Sequence, residues 1–235
     1  MGSRSSDSLR IAFISTQQGW HGGERQAFIL ARGLRERGHD CRFLVREGSE
    51  FASQSAASGF VTETFPGRGR GPVGIWRIRR ALVKWRPDVI HMNDAHSLTS
   101  GGLASLGLSG AIRVVSRRVD FPVRLATRYR RWCDQVLCVC RSVVRTCEKA
   151  GIPRSRLRLL YDGLETDAIE SADGARGRAA LDLEKGRLLL VSVATLTDCK
   201  GHRYLLDAMK IVVEKVPSAV LALAGDGELS RPLRR

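Results

Sequence analysis

Short apolar runs and helical apolar stripes alternate along this chain. The run LRIAFIS (residues 9–15) has strand character and leads into the glycine-rich stretch QQGWHGG. In the segment that follows, ERQAFILARGLRERGHD, the positions Ala27, Leu30, Ala31 and Leu34 recur at i, i+3, i+4 and i+7. They mark one face of a helix, which Gly38 stops. CRFLV (41–45) is a second strand, so the opening of the chain reads as strand, glycine loop, helix, strand. A unit of that order implies parallel strands joined by a right-handed crossover.

The alternation continues. A strand is predicted at 61–65, then a loop PGRGRGP, a helix over 73–85 and a strand PDVIHM. On that helix Ile75, Ile78, Leu82 and Trp85 form the buried stripe, while Arg77, Arg80 and Lys84 point away. Beyond it come a helix over 98–106, a strand IRVVS, a basic helix over 123–132, a strand VLCVC, a helix over 142–150 and a strand RLRLLY. These elements complete a doubly wound sheet. Residues 162–186 are rich in small and polar residues without an apolar period, which fits a linker or a peripheral helix. The opening pattern then returns, with LLLVSVA a strand, TLTDCKG a loop, HRYLLDAMKIVVEKV a helix and AVLALAG a strand ending in GDGEL. The expected fold is α/β with doubly wound parallel sheets. Residues 1–8 are expected to form a disordered leader, 9–161 a Rossmann-like domain, 162–186 a linker, and 187–235 the start of a second Rossmann-like domain.

Composition narrows the class. The chain has 235 residues, 43% of them hydrophobic, enough for one large or two small cores. No run approaches the ~18 apolar residues of a spanning helix, and the leader MGSRSSDS lacks a signal-peptide core. A soluble cytoplasmic protein is expected. The six cysteines show no paired CxxC spacing, so neither a zinc module nor a redox pair is indicated and no metal is expected. Cys138 and Cys140, two apart, would share one face of a strand.

The net charge of +15 comes from 39 basic residues, of which only six are lysine. Arginine forks suit the phosphates of nucleic acid, nucleotide sugars or lipid headgroups, and serve equally as solvated surface charge. With 6% aromatics and no nucleic-acid module, a nucleic-acid partner is not expected.

Four segments could carry chemistry, since parallel sheets bind ligands in the loops after their strands. Gly19, Gly22 and Gly23 lie in such a loop, where glycine lets a phosphate approach the backbone and a helix N-terminus favours an anion. The spacing is not GxGxxG, and by itself the glycine pair reads first as a flexible strand-to-helix turn. The segment His91, Met92, Asn93, Asp94, Ala95, His96 follows the strand PDVIH and would meet a substrate hydroxyl, or simply hold hydrogen-bonded histidines. The block SRRVDFPVRLATRYRR crowds basic residues together, with Arg124, Arg128 and Arg131 at i, i+4 and i+7 on one helical face. That face is either solvated or receives an anionic acceptor or a membrane surface. Lys200 and Gly201 end the loop of the second domain and open its helix, where an ammonium would converge with helix N–H groups on a diphosphate.

In order and spacing, GGER, PDVIHMNDAHS, VVSRRVDFP, LYDGLE, LTDCKGHRYLLDA and LAGDGEL resemble the retaining GT-B glycosyltransferases of the large bacterial family 4, or "group 1", which includes cell-envelope and lipopolysaccharide sugar transferases. The resemblance implies transfer of a sugar from a nucleotide-diphosphate sugar to a hydroxyl on a saccharide or lipid-linked acceptor, with no other cofactor. The first domain would be the acceptor-side domain, holding the acceptor, and the second the donor-side domain, holding the donor. Gly22, Gly23, Lys200 and Gly201 would bind donor phosphates, and His96, with His91 or Asn93, would sit near the transferred sugar. Arg117, Arg118, Arg124, Arg128 and Arg131 would face the acceptor or the inner face of the membrane. Two features differ from the family. Thr195 stands where an arginine usually accompanies the lysine, and the family's paired glutamates would lie beyond GDGEL, so the second domain is expected to be truncated. The alternative reading is a non-catalytic module that binds sugar nucleotides or anionic lipid.

Overall fold

In the computed structural model, which describes residues 8–234, seven apolar runs pair side by side into one parallel sheet. The strands are β1 (Arg10–Ser15), β2 (Asp40–Arg46), β3 (Val61–Phe65), β4 (Val89–Met92), β5 (Ile112–Arg117), β6 (Gln135–Cys138) and β7 (Leu157–Leu159). Their order is β3-β2-β1-β4-β5-β6-β7. The chain starts at the centre, winds outward to β3, then crosses back to place β4 on the free side of β1. Apart from Ser8, the expected leader lies outside the described residues.

Helices cover both faces, as a parallel sheet requires. On one face α1 (Gly22–Glu36) and α2 (Glu50–Ala57) bury Ala27, Ala31 and Phe51 against Ile11, Phe13, Phe43 and Val45. On the other, α3 (Pro72–Trp85), α4 (Ala95–Ala104), α5 (Ala126–Trp132) and α6 (Arg141–Lys149) close over Ala12, Ile14, Ile90, Met92, Val115 and Val136. Strand alternation divides the two cores: Ile11 and Phe13 point one way, Ala12 and Ile14 the other.

The expected doubly wound parallel architecture is present, and the local differences have physical causes. Helix α2 was not expected, because EFASQSAA is short and buries only Phe51 and Ser55. Helix α4 starts at Ala95 instead of 98, because Asp94 caps it, accepting from the backbone N–H groups of His96 and Ser97 at 2.7 Å each. Helix α5 starts at Ala126 instead of 123, because Leu125 takes a left-handed φ of 60°. Arg124 therefore lies off the helix. Strand β6 ends at Cys138, and Cys140 caps α6, so the two cysteines do not share a strand face.

The chain divides into two compact units between Leu164 and Glu165. The second holds α7 (Asp167–Glu170), α8 (Gly174–Ala180), β8 (Leu188–Val193), α9 (His202–Lys215) and β9 (Ala219–Ala224). Strands β8 and β9 pair in parallel, Leu188 opposite Ala219, as one strand-helix-strand unit. Among the described residues no helix is long and apolar enough to cross a membrane.

Candidate functional site

The winding of the large sheet reverses between β1 and β4, and open parallel sheets bind ligands outside the carboxyl ends of the strands at such a point. Three segments leave the sheet there. β1 runs through Thr16 and Gln17 toward α1, β4 turns at Asn93 and Asp94 into α4, and β5 ends at Arg117 with Arg118 next. A pocket of about 270 Å³ opens among them, lined by Gln17, Gly23, Glu24, Asn93, Asp94 and Arg118.

Asn93 is the hub of this pocket and is only 2% exposed. Its Nδ2 donates to the Gly23 carbonyl at 3.2 Å and to Glu24 Oε1 at 3.3 Å. Arg118 Nη1 donates to both the carbonyl and Oδ1 of Asn93, each at 3.0 Å, and Arg118 Nε donates to Asp162 Oδ1 at 3.2 Å. The end of β4, the first turn of α1 and the segment after β7 are thereby tied to one amide.

Two carboxylates flank this hub. Glu24 is buried, and its Oε2 accepts from the His21 N–H at 3.3 Å, closing the first turn of α1. Burial pushes the Glu24 carboxyl above its ordinary range, the hydrogen bonds from backbone N–H groups act against that, and the nearby Asp94 charge adds to the rise. Asp94 uses Oδ1 to cap α4 and Oδ2 to accept from Gln17 Nε2 at 2.9 Å. The pocket thus offers amide, guanidinium and carboxylate groups to a polyhydroxylated ligand. Gly22 and Gly23 open α1 beside it, where first-turn N–H groups lack intrahelical acceptors and favour an anion.

His91 lies inside β4, since the strand runs on to Met92 and the loop begins only at Asn93. It is 3% exposed, with Nε2 at 2.7 Å from Ser116 Oγ and its ring edge-on to Phe13 at 4.9 Å. Burial first, and the Arg118 charge second, pull its imidazole down to about 3, so the ring is neutral. His96 is exposed in the first turn of α4, and Arg70 donates to its Nδ1. Of the three residues expected near a transferred sugar, the structure places Asn93 in the pocket, His91 in the sheet and His96 beyond Asp94.

The arginines of the basic block separate. Arg117 is buried, donating Nη1 to Tyr129 Oη at 3.2 Å and Nη2 to the Phe121 carbonyl. It pins the loop after β5 from within and faces neither solvent nor membrane. Arg118 turns into the pocket. Arg128 is half-buried, donating to Thr99 Oγ1 at 2.9 Å and lying over the Trp132 ring. Arg124 and Arg131 are exposed, and so are the apolar side chains of Val119, Phe121 and Leu125 in the same loop.

In the second unit, Lys200 is exposed at the end of a single 3-10 turn, and Gly201, with φ of 71°, opens α9. The loop carrying them is held from both sides. His202 Nε2 lies 3.1 Å from the Thr195 carbonyl, Leu196 N donates to the Asp226 carbonyl at 2.9 Å, and Leu229 N donates to the Leu196 carbonyl at 2.9 Å. A Cβ on Gly225 would stand 1.9 Å from the Ala194 carbonyl oxygen, and one on Gly227 would stand 2.5 Å from that of Leu196. The GDGEL segment is therefore the support on which the Lys200 loop rests.

Sequence reasoning did not single out Gln17, Glu24 or Asp162, and it named Asp94 only as part of the loop after β4. For Glu24 a signal existed: Glu24, Ala27 and Ala31 fall at i, i+3 and i+7, which places a carboxylate on the buried stripe of α1.

The sequence model of the family described as Glycosyltransferase Family 4 matches residues 20–168, well over half of the chain. No curated protein matches it. Among solved structures, HepE of Anabaena, in complex with UDP-glucose, has a TM-score of 0.77 at 16% identity, over 95% of this chain and 62% of HepE. The catalytic domain of starch synthase IV from Arabidopsis thaliana, bound to ADP and acarbose, has a TM-score of 0.67 at 12% identity, over 97% of this chain and 71% of that domain. The lipopolysaccharide outer core galactosyltransferase WaaB, in its apo form, has a TM-score of 0.63 at 13% identity, over 96% and 63%. At these identities the likeness is one of fold, and the chain spans less than two thirds of HepE and of WaaB.

Proposed function

The chain belongs to glycosyltransferase family 4, and from that premise we propose that it serves the transfer of a sugar from a nucleoside-diphosphate sugar to a hydroxyl of a saccharide or lipid-linked acceptor, with retention at the anomeric carbon. The observation that carries this reading is the Asn93 hub at the reversal of the sheet, where amide, guanidinium and carboxylate groups converge beside the open N-terminus of α1. A sugar hydroxyl needs paired donors and acceptors, and a departing diphosphate needs positive partial charge. Asp94 supplies acceptors and Arg118 donors for the former, both held in place by Asn93 and its neighbours. The first turn of α1 at Gly22 and Gly23, and separately Lys200 before α9, are each suited to phosphate. A front-face displacement with retention requires no protein nucleophile, so Glu24 has a positioning role, holding Asn93. HepE's complex with UDP-glucose makes that compound the first donor to test.

Calorimetry with UDP-glucose and GDP-sugars, followed by a radiolabelled transfer assay, tests the proposal. Lys200→Ala and Asn93→Ala are expected to weaken donor binding or transfer by at least about tenfold, the scale of one lost charge-assisted hydrogen bond. Absence of binding to every nucleotide sugar would refute the reading.

A second reading, a sugar-nucleotide or anionic-lipid binding module at the inner face of the membrane, draws on the exposed Val119, Phe121 and Leu125 beside Arg124. An apolar tip with adjacent cations suits an anionic interface. Co-sedimentation with anionic but not neutral vesicles, lost in Phe121→Asp, would support it, and equal recovery with both would sink it.

A further inference from the structure

A second pocket, also of about 270 Å³, adjoins the first at the carboxyl ends of β1 and β2 and is lined by Thr16, Gln17, Arg46, Arg68, Arg70 and His96. Gln17 lines both pockets. Three arginines from two elements line it: Arg46 ends β2, while Arg68 and Arg70 come from the loop between β3 and α3. No carboxylate lines the pocket, and none of the three arginines forms an ion pair among the described residues. Three like charges gathered without a counter-ion raise the local positive potential and favour a bound anion.

The loop that carries Arg68 and Arg70 is packed against the protein at Gly69. Gly67 and Gly69 take left-handed φ values of 60° and 66°. A Cβ on Gly69 would stand 2.7 Å from the Phe65 ring, and one on Gly74 would stand 2.8 Å from Gly69 Cα. Ser100 Oγ of α4 donates to the Arg68 carbonyl at 3.4 Å. Gly69 is thus pressed onto the protein, and Arg68 and Arg70 on either side of it line the pocket. Arg70 donates to His96 Nδ1, which leaves Nε2–H as a further donor.

We propose that Arg46, Arg68, Arg70 and His96 form a subsite for the phosphate of a phosphomonoester-bearing sugar acceptor. This rests on the glycosyltransferase reading above and names the acceptor's chemistry. Charge decides for phosphate: a phosphomonoester carries about −1.5 to −2 near neutral pH against three guanidinium charges, whereas a carboxylate supplies only −1. Apart from the His96 ring, the polar and charged lining offers a nucleobase no apolar or aryl side chain to pack against. A sugar phosphate anchored here has its ring at Gln17, from which a hydroxyl reaches toward Asp94 and Asn93 in the first pocket.

The test is calorimetry of the full chain with glucose 6-phosphate, glucose and glucuronate at constant ionic strength, with UDP-glucose titrated separately. Glucose 6-phosphate is expected to bind at least tenfold more tightly than glucose or glucuronate, and Arg68→Gln/Arg70→Gln to remove at least tenfold of that affinity while leaving UDP-glucose binding unchanged. Both residues are exposed, and circular dichroism checks that the variant is folded. Arg68→Lys/Arg70→Lys, which keeps charge but loses the fork, is expected to fall between. Equal binding of glucuronate, indifference to the arginine substitutions, or displacement of glucose 6-phosphate by UDP would overturn the proposal. Loss of UDP-glucose binding alone would strike the donor reading and leave this subsite standing.

Discussion

Acid should destabilise the first unit through His91, and the size of the effect follows from its burial. The imidazole sits in β4 between Phe13 and Ser116, pulled down to about 3 from an ordinary 6.5. Between those two values the unfolded chain takes up a proton that the native chain refuses. Stability is thus complete above the ordinary value and is lost as pH falls toward the native one. Going from about pH 7 to about pH 5, this single group should remove about 2 kcal/mol. Glu24 acts in the opposite sense, because its raised carboxyl keeps a proton longer in the native state and so favours folding as pH falls. Comparing the wild type with His91→Gln cancels that contribution, since Glu24 is present in both. The assay is urea unfolding followed by tryptophan fluorescence, and all four tryptophans, Trp20, Trp76, Trp85 and Trp132, lie in the first unit. Whatever the substitution costs near neutral pH, the gap between the proteins should narrow by about 2 kcal/mol on going to about pH 5. Parallel pH profiles would refute the reasoning and mean that the native imidazole protonates freely.

Three further outcomes are expected. Phe43, fully buried with ring contacts to Phe13 at 5.4 Å, Phe51 at 4.9 Å and Phe60 at 5.0 Å, should cost about 3–5 kcal/mol in urea unfolding when replaced by alanine. Gly225→Ala drives a Cβ into the Ala194 carbonyl, so hydrogen exchange at Leu196 and Leu229, slow in the wild type, should become fast, with the first unit's tryptophan signal unchanged. Brief alkylation at about pH 8 should place the first adduct on the exposed Cys199, because burial pushes the thiols of Cys41 and Cys133 up to about 12 and keeps them protonated; mass spectrometry of the peptides reads the order.

The apolar pattern of the chain determined its architecture. A strand buried on both faces shows as a continuous run, as IAFI and VIHM do, and a helix buried on one side shows as the stripe Ala27, Leu30, Ala31, Leu34. Both signals come from solvation of side chains along one segment, so they survive without neighbours. Helix α2 left no such trace because it buries only Phe51 and Ser55. The loops after the strands were also legible, and Gly22, Gly23, Asn93 and Lys200 lie within them or at their ends. Only the tertiary structure decided which polar groups meet. Asn93 and Glu24 are far apart in sequence, and so are Arg118 and Asp162, yet each pair is brought within hydrogen-bond reach by the register of β1, β4, β5 and β7. The same register buries His91 and Arg117, which the sequence presented as candidates for a substrate or a membrane. It also brings Arg46 of β2 to the pocket lined by Arg68 and Arg70 of the loop after β3. Burial along a segment is a local property, while the pairing of charges and hydrogen-bonding groups depends on distances that only the folded sheet sets.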